Sequence, residues 1–83
     1  MAKSTIIVYG TNWCGDCRRT RKFLDLHQIS YEWIDIDANP DAEKFVLEKN
    51  LGMRSVPTIL FDDGSILVEP SNPRLAEKLG IPI

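Results

Sequence analysis

The chain contains two cysteines, Cys14 and Cys17, and their spacing denies it the usual staple of a very small protein. A disulfide stabilises by closing a loop, and a bridge between these two would close almost none. The 83 residues must therefore hold together through one apolar core, with no room for a second. Composition permits this: 43% of residues are hydrophobic and 27% charged, which is globular and excludes a disordered chain. A single domain over residues 1–83 is expected. In a reducing compartment, a close pair of cysteines that cannot staple a fold points to catalysis or metal binding.

The apolar pattern divides the chain into short elements. Thr5–Tyr9 is a β-branched apolar run and predicts a buried strand, with a turn over Gly10–Asn12. From Gly15 the spacing becomes helical. Cys17, Thr20, Phe23, Leu24 and His27 form one stripe, and Arg18, Arg19, Arg21 and Lys22 fill much of the other face. Tyr31–Ile36 alternates and predicts a second strand. Asn39-Pro40 reads as a cap followed by proline at the first helical position, with Asp41 and Glu43 in the first turn. Ala42, Phe45 and Val46 supply that helix's inner face, and Gly52 lies just past its end.

Val56–Phe61 and Ser65–Val68 predict a hairpin around the turn Asp63-Gly64. Asn72-Pro73 repeats the cap-plus-proline device ahead of Leu75, Ala76 and Leu79, and Gly80 ends that helix. The order is β-α-β-α-β-β-α. Its first two strands should be parallel, joined by a helical crossover, and its last two antiparallel. The fold class is α/β, a four-stranded mixed sheet flanked by three helices.

Charge and hydropathy remove other functions. A formal net charge of −2 argues against nucleic-acid binding, which needs a strongly basic surface. No segment approaches a membrane span, and Met1–Gly10 lacks the pattern of a signal peptide, so the expected location is the cytoplasm.

Trp13-Cys14-Gly15-Asp16-Cys17 carries the chemistry. Cys14 falls where strand and turn end and a helix begins, at free N–H groups and the positive end of the helix dipole. Both favour the thiolate, which is the nucleophile in disulfide exchange. Arg18, one turn on, adds positive potential, while the Asp16 carboxylate opposes it. Cys17, one turn further, joins the apolar stripe. The expected roles are an exposed attacking Cys14 and a buried resolving Cys17. A zinc site needs four ligands, and the lone His27 lies well beyond the pair, so one chain cannot close it with thiolates and imidazole.

With these residues the sequence resembles the glutaredoxin branch of the thioredoxin superfamily, over nearly its whole length. The resemblance rests on Trp13-Cys14-Gly15-Asp16-Cys17, Ile34-Asp35-Ile36-Asp37, Arg54-Ser55-Val56-Pro57-Thr58 and Asp63-Gly64-Ser65. It is strongest toward the mycoredoxins, through T-x-W-C-G-x-C, x-V-P-T and D-G-S-x-L-x-x-P-S. It implies a thioredoxin fold and a cis Val56–Pro57 bond that sets the Val56 backbone beside Cys14, ready for a substrate strand or a thiol. Read alone, Pro57 is an ordinary strand-start proline. The resemblance also implies a thiol-ligand contact for Arg54. The helix start at Ser71-Asn72 could bind a carboxylate through backbone N–H groups.

The chain departs from typical glutaredoxins in having C-G-D-C for C-P-Y-C. Thr11-Asn12 stands where a basic residue is usual, and Glu69-Pro70-Ser71-Asn72 replaces a glycine-pair segment. Each departure weakens the case for tight glutathione recognition. Trp13 reads as an apolar platform at the lip of the site, and Trp33 as a structural residue. His27 is an ordinary histidine near a helix C-terminus. The arginine and lysine run is either a solvated face or a steering patch for acidic partners. Asp62 and Asp63 are turn residues.

Three functions follow. The first is a reductase of mixed disulfides between proteins and a low-molecular-weight thiol, mycothiol or glutathione. It would need no bound cofactor or metal and act as a monomer. The second is a thioredoxin-like protein-disulfide reductase recharged by a flavin-dependent reductase. The third is a binding module holding an iron–sulfur cluster or metal between two subunits.

Overall fold

Alternation along the first strand decides the layering. Val8 joins one apolar cluster with Phe23, Leu24, Ile59, Phe61, Leu75 and Ala76, while Tyr9 joins another with Ile36, Ala42 and Val46. Successive side chains of a strand point to opposite faces, so the sheet is covered on both sides. The computed structural model describes residues 6–82. Thr5, expected in the first strand, lies outside them.

The elements are β1 (Ile7–Gly10), α1 (Gly15–Leu26), β2 (Glu32–Asp35), α2 (Pro40–Lys49), β3 (Thr58–Leu60), β4 (Ile66–Val68) and α3 (Asn72–Leu79). The sheet order is β2-β1-β3-β4. β1 runs parallel to β2, pairing Val8 with Trp33 and Gly10 with Asp35. β1 with β3, and β3 with β4, are antiparallel. This is the expected β-α-β-α-β-β-α thioredoxin fold. α1 and α3 supply the cluster on one face, and α2 supplies the other. Val8, Leu24, Val46, Ile59 and Leu75 are fully buried, each stabilising the fold by roughly 1.5–3 kcal/mol relative to exposure. Tyr9 stacks on Phe45 with ring centroids 4.8 Å apart.

The strands are shorter than the apolar runs implied, because a ladder ends where its partner turns away. Tyr31 and Ile36 fall outside β2, and Val56, Pro57 and Phe61 outside β3. Gly10, expected in a turn, closes β1 opposite Asp35. The start of α3 is shifted by one residue. Ser71, not Asn72, is the cap, and its hydroxyl accepts the Arg74 N–H at 3.2 Å. Asn39 caps α2 as expected, accepting the Ala42 N–H at 3.1 Å. Gly80 ends α3 at φ 71°, a left-handed conformation that favours glycine.

Candidate active site

Cys14 is the residue before α1. Its backbone is extended (φ −82°, ψ 121°), and its sulfur accepts the Cys17 N–H at 3.3 Å. A sulfur thus takes the place that a serine or asparagine oxygen takes at the other two helices. The N–H groups of the first turn and the positive end of the helix dipole are thus aimed at an atom that can attack a disulfide. Cys14 is half-buried, less open than the sequence implied, because the loop before β3 packs beside it. Its Sγ lies 3.8 Å from the Val56 carbonyl oxygen, within reach of a weak S–H···O contact. The Val56–Pro57 bond is cis, and Pro57 is buried.

Cys17 is fully buried. Its thiol is pushed up to about 12, first by burial, while a hydrogen bond from the Thr11 backbone pulls the other way and Cys14 and Asp16 add to the rise. Both cysteines are free thiols. The space for the Cys17 sulfur comes from Gly10. A Cβ there would sit 2.6 Å from that sulfur and 2.7 Å from the Trp33 ring. Trp33 is half-buried, and the Arg21 guanidinium lies 4.2 Å from its ring centroid. Thr11 is fully buried beneath the loop that carries Cys14.

The rim is built by three loops. Asn12 donates to Asp35 at 3.3 Å, and the Trp13 indole N–H donates to Asp37 at 2.9 Å, so the loop before α1 is stitched to the one after β2. Arg54, on the loop carrying Val56 and Pro57, pairs with the same Asp37 and with Glu43 on α2. Asp37 is therefore the node between the cysteine loop and the cis-proline loop. Its carboxyl is held below the usual carboxylate range, chiefly by Arg54 and then by Trp13. Arg54 is pushed upward by Glu43 and then Asp37. Trp13 keeps 66% of its surface exposed, an open apolar plate beside Cys14.

Six of the expected residues thus belong to one assembly: Cys14, Cys17, Trp13, Val56, Pro57 and, through Asp37, Arg54. Ser71 and Asn72 are placed differently. Their side chains bond to Arg74 and Arg19, not to either cysteine. Arg19 also donates to the Pro70 carbonyl at 2.9 Å and lies 3.7 Å from Asp16, so it ties α1 to the start of α3. A half-open cavity of about 480 Å³, lined by Gln28, Ile29, Phe61 and Lys78, touches none of these residues.

Sequence reasoning read Gly10 as a turn residue, Asp37 as part of a strand-end motif and Glu43 as a helix-start acid, and gave none of them a part in the site. A glycine ending a β-branched run just ahead of a cysteine could have been read as a sign of close approach. Asp37 and Glu43 carry no such signal, because their importance lies only in which partner they meet.

The glutaredoxin family profile matches residues 6–66. A Mycobacterium tuberculosis (strain H37Rv) protein named as a candidate glutaredoxin is 40% identical over 79 residues, covering 95% of this chain and 94% of its own. Mycoredoxin 1 of Corynebacterium glutamicum is 38% identical over 74 residues, covering 89% and 87%. Among solved structures, a point mutant of the thioredoxin-like protein BC3987 superposes with a TM-score of 0.82 at 26% identity, covering 93% and 96%. A free sulfur at the mouth of a helix, a buried companion one turn behind it and a chain-long likeness to these redoxins agree on one conclusion: the chain belongs to the glutaredoxin family and is a thiol–disulfide oxidoreductase.

Proposed function

We propose that the chain reduces mixed disulfides between proteins and a low-molecular-weight thiol, mycothiol or glutathione, with Cys14 attacking and Cys17 as the resolving thiol. The inequality of the two sulfurs carries this reading. Cys14 is reachable and receives an N–H at the start of α1. Cys17 is sealed and its thiol raised to about 12.

The Cys14 thiolate attacks the small-thiol sulfur of the mixed disulfide. The S–S bond breaks, the substrate protein leaves as a thiolate and takes up a proton, and Cys14 carries the small-thiol adduct. Two exits follow. A second small thiolate can attack the adduct, releasing the symmetric small disulfide and restoring the Cys14 thiolate. Alternatively Cys17 loses its proton and attacks the Cys14 sulfur, releasing the small thiol and leaving a Cys14–Cys17 disulfide. Burial, the chief cause of the raised Cys17 thiol, persists in the adduct and slows the second exit relative to the first.

Steady-state turnover of Cys17→Ser on a small-thiol mixed disulfide tests this. Retained turnover with mycothiol or glutathione is expected through the first exit, which does not use Cys17, and complete loss with every small thiol overturns that exit. Action as a monomer in the cytoplasm belongs to the same proposal. Separately, no helix among the described residues is long and apolar enough to cross a membrane.

One observation favours a second reading. Arg54, Asn72 and the Ser71 hydroxyl are already engaged within the chain, leaving few side chains to grip a small thiol. A thioredoxin-like protein-disulfide reductase needs no such grip and uses both cysteines. NADPH consumption with a flavin-dependent thioredoxin reductase, and none with the small-thiol systems, is the result that selects it.

A further inference from the structure

The rim of the site holds one guanidinium between two carboxylates. Arg54 pairs with Asp37 and Glu43, and Asp37 also takes the indole N–H of Trp13, the residue beside Cys14. Val56, whose carbonyl lies 3.8 Å from the Cys14 sulfur, is two residues from Arg54. Cys14 is thus flanked by Trp13, which bonds to Asp37, and by Val56, two residues from Arg54, and a group joined to its sulfur on that side would approach this trio. Asp16 stands two residues from Cys14 with half its side chain in solvent, and Asp35 lies behind Asn12. Arg18 is exposed on the first turn of α1, while Arg19 is held by Asn72, Pro70 and Asp16. Arg54, on the cis-proline loop, is therefore more than neutralised by its two carboxylate partners.

We propose that Asp37 and Glu43 set the charge selectivity of Cys14, turning it against disulfides that carry an anionic group next to the sulfur and toward neutral or cationic ones. The inference rests on Cys14 being the attacking sulfur, as in the preceding section. The selectivity is electrostatic. A unit charge some 6 Å from another in a water-like medium changes a rate by about threefold, and salt screens the effect. The reaction concerned is the first step alone. The Cys14 thiolate displaces RS⁻ from RS–SR, forming Cys14–S–SR, with no other oxidant or reductant.

The test uses the reduced full chain in single-turnover stopped flow, with tryptophan fluorescence as the signal. Three symmetric disulfides of matched length serve as probes: dithiodipropionate (anionic), bis(2-hydroxyethyl) disulfide (neutral) and cystamine (cationic). Each rate is divided by that of 2-mercaptoethanol thiolate with the same disulfide, which removes the leaving-group difference. At low salt the anionic-to-neutral ratio is expected to lie about threefold below one, and the cationic-to-neutral ratio above one. Glu43→Gln and Asp37→Asn should each raise the anionic ratio about threefold, and together about tenfold, while Arg54→Gln lowers it. High salt should shrink all of these shifts.

Equal normalised rates for the three disulfides in the unsubstituted protein overturn the inference and leave the preceding one standing. So do variants that change all three rates by one factor. Failure of Cys14 to react with any of the three overturns both.

Discussion

α1 begins at a cysteine whose sulfur accepts the Cys17 N–H at 3.3 Å, and α3 begins at a serine whose hydroxyl accepts the Arg74 N–H at 3.2 Å. The hydrogen-bond pattern is the same, but the surroundings differ. At α3, Pro73 brings no N–H, and Asn72 is clamped by Arg19. The helix end is quenched, and its capping oxygen stays un-ionised at neutral pH. At α1, glycine follows the cap, and a Cβ on Gly15 would meet nothing within 4 Å, so the first turn lies open. The same backbone donors that merely complete a hydrogen bond at Ser71 act at Cys14 on an atom that can carry charge. The chemistry thus arises from placing a titratable acceptor in an ordinary structural position and leaving the approach to it clear.

Cys14→Ser breaks this difference most directly, since it makes the start of α1 resemble that of α3. Disulfide exchange should fall by about a thousandfold or more, because a hydroxyl without a base is a weak nucleophile. Urea unfolding should show stability changed by no more than about 1 kcal/mol, because the serine oxygen keeps the hydrogen bond from the Cys17 N–H. A larger loss of stability with Cys14→Ser would show that the sulfur holds the loop in some further way.

The next effect lies one turn inward, where α1 has a buried thiol and α3 has the apolar Leu75. Gly10→Ala drives a methyl group into the Cys17 sulfur and the Trp33 ring, and should destabilise the protein by about 3 kcal/mol. Chemical denaturation of the reduced protein measures it.

The buried thiol also gives a pH dependence with a definite sign. Cys17 has an ordinary value of 9.0 and is raised to about 12 in the fold. The folded chain then keeps a proton that the unfolded chain releases. Stability from this group is complete below pH 9.0 and is lost as pH rises toward 12, by at most about 1.4 kcal/mol per pH unit. The difference between the pH–stability profiles of the reduced protein and Cys17→Ala isolates it; coincident profiles above pH 9.0 would refute it.

Ser71→Ala should cost about 1 kcal/mol of stability with little change in exchange rate, marking the α3 cap as structural. Reduced turnover with a small thiol, at unchanged stability, would instead place that helix start in the substrate site. The smallest effect is expected at Thr20, whose buried hydroxyl has no partner among the described residues. Thr20→Val should shift the unfolding midpoint by less than about 0.5 kcal/mol, in the stabilising direction.

Existence and order of the elements, the parallel β1–β2 and antiparallel β3–β4 pairings and the place of the cysteine pair were legible in the chain, whereas the antiparallel β1–β3 pairing at the centre of the sheet was not. Each depends on periodicity, caps and spacing, which are local and leave a mark within a few residues. Boundaries were less legible. Ser71 could be told from Asn72 as a cap only once Arg19 had claimed the asparagine, and that contact spans 53 residues. Asp37 was visible as a strand-end acid, yet its bonds to Trp13 and Arg54 join three separate loops. Gly10 read as a turn until the Cys17 sulfur and the Trp33 ring were seen to crowd it. Burial writes a repeating pattern into a sequence, whereas the choice of a distant partner writes none. The reactive sulfur could therefore be picked out from the chain, and the rim that governs what reaches it was decided only by folding.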